Sequence, residues 1–164
     1  MVYIIFRGPG GSGKSTVAQS LQKQLEGKAA LLCPDFFYYD VCGEEDQNSS
    51  LVYEGLYRLA DLYLSEQYHV ILEGILSGRN DYGQLRIEEF LDLGRIYRVR
   101  PFVFYLEVPL DVCVQRDRER KISMGYEKTQ IIWEKSQSSR HDGEIVIDGM
   151  KPVETIVRSI LSHF

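Results

Sequence analysis

Near the amino end, residues Gly8 to Ser15 read GPGGSGKS, which fits the spacing G-x-x-x-x-G-K-[ST] of a phosphate-binding loop. Glycines at these intervals let the main chain take positive φ angles, so that successive amide N–H groups point at one centre. A helix starting just after the loop adds its positive end. Lys14 then brings a point charge to the β- and γ-phosphates, and the Ser15 hydroxyl stands where a Mg²⁺ ligand is required. The expected phosphate cradle is Gly8, Pro9, Gly10, Gly11, Ser12, Gly13, Lys14, Ser15 and Thr16. Arg7, just before it, has no evident phosphate role and reads as local packing or a surface contact.

Further along, LLCPD places Asp35 after an apolar run. A carboxylate there can accept a hydroxyl proton, orient a nucleophile or hold a magnesium-bound water, or it can cap a helix beginning at FFYY. VILEG delivers Glu73 in the same way, which makes it a metal candidate with a substrate-binding or structural alternative. SGRNDYG offers Arg79 and Asn80 in a loop; an arginine there suits a phosphate or carboxylate through paired bonds, or is simply solvated. Arg116 and Arg120, four residues apart, share a helical face, whereas Arg118 points elsewhere. Two converging guanidiniums can neutralise charge on a transferring phosphoryl group; otherwise they belong to a solvated face with Asp117 and Glu119. The aromatic run FFYYD lines a pocket or fills core with equal reason. His69, His141 and His163 lack metal-ligand spacing and read as surface or core residues.

The elements that must position these groups alternate. Val2 to Phe6 is an apolar strand buried on both faces, and Val17, Ala18, Leu21 and Leu25 repeat at helical spacing before Gly27. AALLC is a second strand ending near Pro34. A helix from Ser50 to about Glu66 leads to HVIL, a third strand, and a helix-like segment covers Gln84 to Leu93. FVFYLEV is a fourth strand, with helices over about Leu110 to Lys121 and Glu127 to Gln137, and EIVI and PVETIVRSILSHF close as strand and helix. Five strands with intervening helices predict an α/β fold: a mostly parallel sheet covered on both faces, with ligands beyond the strands' carboxyl ends. GEEDQNSS is expected to be a mobile loop, and no repeat or domain linker is visible.

Composition narrows the partners. The 164 residues suit one domain, and 19 Lys and Arg against 24 Asp and Glu give a net charge of -5, with no long basic run. That balance disfavours nucleic acid. Cys33, Cys42 and Cys113 form neither a CxxC pair nor an even disulfide framework, which predicts a reducing compartment and buried thiols. No apolar run is long enough for a signal segment or a membrane span, and a cytoplasmic location is expected.

On GPGGSGKST, the chain resembles small P-loop kinases of the adenylate-kinase-like group, near the chloramphenicol phosphotransferase, polynucleotide kinase and zeta-toxin-type branch. The resemblance spans nearly the whole chain, although only that motif is highly specific. It implies a three-layer P-loop NTPase fold with strand order 2-3-1-4-5, one kinase domain over residues 1–164, and a helical lid at about 114–128. It also implies ATP with Mg²⁺ and transfer of the γ-phosphoryl group to a hydroxyl of a small-molecule acceptor. In that branch the aspartate after the second strand acts as general base, which Asp35 matches. The implied catalytic residues are Lys14, Asp35, Arg116 and Arg120; metal is assigned to Ser15 and Glu73, and acceptor binding to Asp35 and Arg79. IDGMKP falls where relatives contact adenine, with Lys151 and Pro152 as candidates. A nucleotide-driven ATPase or switch without an acceptor and a nucleic-acid end kinase are the rival expectations. Acceptor identity and oligomeric state are not specified by the sequence.

Overall fold

The order of chemistry along the chain is turned into a common edge by a five-stranded sheet in which every neighbouring pair is parallel. The computed structural model describes residues 1–43, 49–80, 82–120 and 123–164. Strands β1 (Tyr3–Arg7), β2 (Ala29–Leu32), β3 (His69–Glu73), β4 (Pro101–Glu107) and β5 (Ile145–Asp148) lie in the order β2-β3-β1-β4-β5, as expected for a P-loop fold. Helices α1 (Lys14–Gln24), α3 (Ser49–Ser65), α4 (Arg86–Ile96), α5 (Leu110–Arg118), α6 (Tyr126–Ser138) and α7 (Val153–Leu161) connect or flank them, and a single turn, α2 (Pro34–Phe36), follows β2. The acidic stretch expected to be a mobile loop lies, from 44 to 48, outside the described residues, as do Asp81 and residues 121 and 122 of the expected lid.

Strand β1 shows why the sheet is sandwiched. Its side chains alternate between faces while all remain buried, the requirement for a central parallel strand. Tyr3 and Ile5 enter one core with Leu56, Ala60 and Leu64 of α3 and Ile87, Phe90 and Leu93 of α4. Ile4 and Phe6 enter the other with Val17, Ala18 and Leu21 of α1 and Ile156, Val157 and Ile160 of α7. Register then sets the edge: Phe6 pairs with Glu73 and with Phe104, and Leu32 with Leu72. The chain leaving β1 at Gly8, the end of β3 at Glu73 and the turn after β2 at Asp35 therefore meet beyond the same carboxyl ends.

Three local expectations change. Asp35 does not cap a helix: it lies inside the first turn of α2, whose preceding residue is Cys33 and which has no side-chain cap bond. The FFYY segment is instead a wide π-type turn over Phe37–Val41, closed by the Cys42 N–H on the Phe37 carbonyl at 2.9 Å. Phe37 and Tyr38 pack on the core while Phe36 and Tyr39 are exposed, so half of the aromatic run fills core and none of it lines either of the two cavities described below. Helix α5 stops at Arg118, with Glu119 as its cap, so Arg120 lies past the helical face it was expected to share with Arg116.

Arg7 is not a surface residue. It is fully buried, pairs with Glu144, and donates from Nε to the Ile75 carbonyl at 3.2 Å and from Nη2 to the Ser139 carbonyl at 2.8 Å. Glu144 also accepts from Arg140 at 2.6 Å, and the Arg140 guanidinium lies over the Tyr105 ring at 3.9 Å. This network ties the end of β1 to the segments around β5. Among the described residues, no helix is long and apolar enough to cross a membrane.

Candidate active site

The loop from Gly8 to Gly13 has the backbone its glycines were expected to allow. Gly8 and Gly11 have φ of 143° and 80°, and a Cβ at either would come within 2.7 Å of a carbonyl oxygen, of Leu106 and Cys113 respectively. Any side chain at these two positions would both strain the turn and push on main chain that cannot give way. The amides of Gly11, Gly13 and Lys14 have no acceptor among the described residues, as befits donors at a helix start. They are unsatisfied donors where α1 begins, the kind of group that an anion requires.

Lys14 is 8% exposed, and its Nζ donates to the Pro9 carbonyl at 2.9 Å, folding the side chain back over the loop. Burial lowers its pKa, while Glu73 and Asp35 act in the opposite direction and Arg120 reinforces the lowering. The Ser15 hydroxyl donates to Glu73 Oε1 at 2.7 Å, and Glu73 is itself buried at the tip of β3. Asp35 is pushed above the usual carboxylate range by desolvation and by the charge of Glu73, with Lys14 and Arg120 opposing. Lys14, Glu73, Asp35 and Arg120 thus feel one another's charges, although they come from four separate segments.

A hydroxyl beside a carboxylate, both oxygen donors, fits Mg²⁺. Among the described residues no three His, Cys, Asp or Glu side chains gather to cage a metal, so an ion here would take most of its ligands from phosphate and water.

Cys33, read from the sequence as a packing thiol, adjoins this cluster. Its pKa is pushed up to about 12 by burial and then by the neighbouring Glu73, so it stays a thiol. No signal in LLCPD marks that contact.

The two arginines after β4 separate. Arg116 donates to the carbonyls of Gly11, Ser12 and Gly149, each at 3.3 Å, and so clamps the loop to the turn after β5. Arg120 is exposed and remains with Lys14 and Asp35 electrostatically. Between them Asp117 is buried, accepting at Oδ2 from the Ser123 hydroxyl at 2.6 Å and the Met124 and Gly125 amides at 3.0 and 3.1 Å. Burial alone would raise its pKa, but these bonds outweigh it and hold the carboxyl below its ordinary value.

Arg79 turns back on its own loop, donating to the Gly83 carbonyl. Asn80 organises that loop, its Oδ1 accepting the Tyr82 and Gln84 amides at 3.0 and 2.9 Å. The residue the sequence did not single out is Arg86, which is buried and lies with its guanidinium 4.3 Å from the centre of the Tyr53 ring. Tyr53, Tyr57, Asn80, Gln84, Arg86 and Glu89 help line a cavity of about 640 Å³ between α3 and α4. A second cavity, of about 730 Å³, is bordered by Val108, Trp133, Asp148, Met150 and Lys151; Pro152 sits outside its lining, at the cap of α7.

Three structures with this fold are kinases by name. A gluconokinase from Sinorhizobium meliloti 1021 is 17% identical, with a TM-score of 0.69 over 98% of this chain and 90% of its own. A shikimate kinase from Aquifex aeolicus is 19% identical, with a TM-score of 0.63 over 99% and 95%. An APS kinase from Mycobacterium tuberculosis, solved with AMPPNP and APS, is 18% identical, with a TM-score of 0.69 over 98% and 96%. At these identities the likeness is one of fold. No curated protein matches the sequence. A family match, however, covers residues 3–140, from the first residue of β1 to the segment beyond α6, and by it the chain belongs to the AAA domain family.

Proposed function

We propose that the chain is an ATP-dependent kinase that transfers the γ-phosphoryl group of Mg·ATP to a hydroxyl of a small-molecule acceptor. The observation that carries this reading is the juxtaposition, at one sheet edge, of an anion-shaped loop and an acceptor-side carboxylate. Loop amides at the start of α1 are left without acceptors, and Asp35, at the end of a neighbouring strand, lies within range of Lys14's charge. A plain nucleotide-binding loop needs the first feature and not the second.

In this reading the amides of Gly11, Gly13 and Lys14 bind β-phosphate oxygens, and Lys14 exchanges its bond to Pro9 for oxygens of the β- and γ-phosphates. Ser15 and Glu73 would hold Mg²⁺, Ser15 directly and Glu73 through water; the ion, when bound, offsets triphosphate charge. Asp35 accepts the proton of the acceptor hydroxyl as its oxygen forms the new bond to the γ-phosphorus and the bond to the ADP oxygen breaks. Arg120 reaches over the transferring group as part of a lid at about 114–128, and Arg116 keeps the loop in shape beneath it. Adenine is assigned to the turn after β5, beside Gly149 and Lys151. Asp35 after β2 favours the chloramphenicol phosphotransferase, polynucleotide kinase and zeta-toxin branch, in one kinase domain over 1–164. Three free thiols favour a cytoplasmic setting.

The test is transfer of label from [γ-³²P]ATP to a panel of nucleosides, sugars, sugar acids and antibiotics, with Lys14→Ala as control. The expected result is an acceptor labelled by the wild type and not by the variant. ATP hydrolysis at a rate indifferent to every acceptor would contradict the reading.

A further inference from the structure

Among the described residues, the charged side chains around the cavity between α3 and α4 have polar partners with one exception. Glu54 pairs with Arg58, Asp92 with Arg95, and Glu89 accepts from Asn80 Nδ2. Asp61, beyond the cavity, accepts from the Tyr97 hydroxyl at 2.6 Å. Arg86 is different. It is 8% exposed, yet among the described residues no carboxylate, carbonyl or hydroxyl accepts from its guanidinium, whose close partner is the face of Tyr53. A ring face offers a cation some compensation, but the planar fork of N–H donors is left without acceptors. Burying a cation in that state is costly, and where the acids described beside it each have a partner while this base has none, the open donors form a seat for an anion.

The seat is joined to the turn that carries Asp35 through packing: Tyr53, under the Arg86 guanidinium, and Tyr38, three residues after Asp35, pack on the same hydrophobic core. Burial raises the Tyr53 and Tyr38 phenols, and both lie in the fields of Arg86, which lowers them, and Asp35, which raises them. Arg86 and the candidate base therefore both act on the same pair of phenols, and Arg86 touches one of them. We propose that the cavity is the acceptor subsite and that Arg86 holds an anionic group, a carboxylate or a phosphate, on the hydroxyl compound that is phosphorylated. The proposal rests on the kinase reading and narrows it: neutral sugars and nucleosides lack the group that Arg86 requires. A carboxylate or phosphate can take two parallel bonds from the fork, which fixes the acceptor's orientation as well as its affinity.

Two measurements test it. In the first, acceptors are offered as matched pairs differing in the anion, gluconate with glucose and glycerol 3-phosphate with glycerol, using labelled ATP. Labelling is expected within the anionic members, and Arg86→Met is expected to raise the acceptor KM about tenfold to a hundredfold, the worth of a charge-assisted bond, with a smaller fall in kcat. Equal labelling of a neutral partner, or an unmoved KM in the variant, would overturn the proposal and leave the kinase reading standing. In the second, the chain saturated with Mg·AMPPNP is titrated separately with inorganic phosphate and acetate while the Arg86 Nε–Hε resonance is followed by NMR, assigned by its loss in Arg86→Met, or in Arg86→Lys if the methionine variant does not fold. A saturable shift with phosphate alone points to a phosphorylated acceptor, and one with acetate to a carboxylate. No shift with either overturns the proposal even if some acceptor is labelled; a shift with no acceptor labelled would instead count against the kinase reading alone.

Discussion

Asp35 and Lys14 are held in opposite departures from their ordinary ionisation, and burial is the larger cause in both. A base that is raised in pKa has more drive to take a proton, at the cost of being protonated over a wider acid range. Asp35→Asn is expected to lower phosphoryl transfer by about 10²–10⁴-fold with the ATP dissociation constant unchanged, as measured by single-turnover kinetics and equilibrium binding. The acid limb of the wild-type kcat/KM profile is expected above the usual carboxylate range, because Asp35 must lose its proton to act. Stability carries the same sign. A carboxyl raised in the folded chain favours folding below its unfolded pKa and loses that contribution as pH rises through the folded one, so Asp35→Asn is expected to melt higher than wild type near neutrality and equally in acid. Lys14 is lowered, so at neutral pH its charge opposes folding; Lys14→Met is expected to raise Tm in the absence of nucleotide while abolishing transfer.

At this scale the sequence shows the groups that carry a motif and hides those that depend on distant partners. GPGGSGKST announces itself, and Glu73 and Asp35 follow from standing at strand ends. Arg86 sits in QLRIEEF like any helix-opening polar residue, and only Tyr53, far earlier in the chain, makes it a buried cation.

Among elements, the sheet edge is held in place by contacts that are not themselves part of the chemistry. Arg7 and Glu144 are at 0% and 1% side-chain exposure and bridge the strand that launches the loop to the segment before β5. Removing one member leaves a buried charge unpaired, so Glu144→Leu is expected to cost about 3–5 kcal/mol in urea unfolding, with part recovered by adding Arg7→Met. The order of strands and helices was legible because hydrophobic period and glycine stops are local. The π-type turn at Phe37–Val41 was not, since FFYY has the composition of either a helix or a strand and its course is decided by Phe37 and Tyr38 reaching the core of α3 and α4. The end of α5 at Arg118 was likewise hidden: Asp117 spends its carboxylate on the amides of Met124 and Gly125, which draws the chain out of the helix.

For the molecule as a whole, the parallel register concentrates function. Two cores pin the sheet from both faces, and the carboxyl ends of β1, β2 and β3 then have no freedom to drift apart. Loop, metal candidates and candidate base lie on one edge, and Arg116 holds the loop from the helix after β4. The proposed kinase requires that edge to be a seat for a magnesium triphosphate, and isothermal titration calorimetry of the wild-type chain with Mg·AMPPNP measures this directly. Saturable one-to-one binding, lost in Lys14→Ala and in Gly11→Val, is the predicted result; no binding heat, or equal binding by both variants, would contradict it.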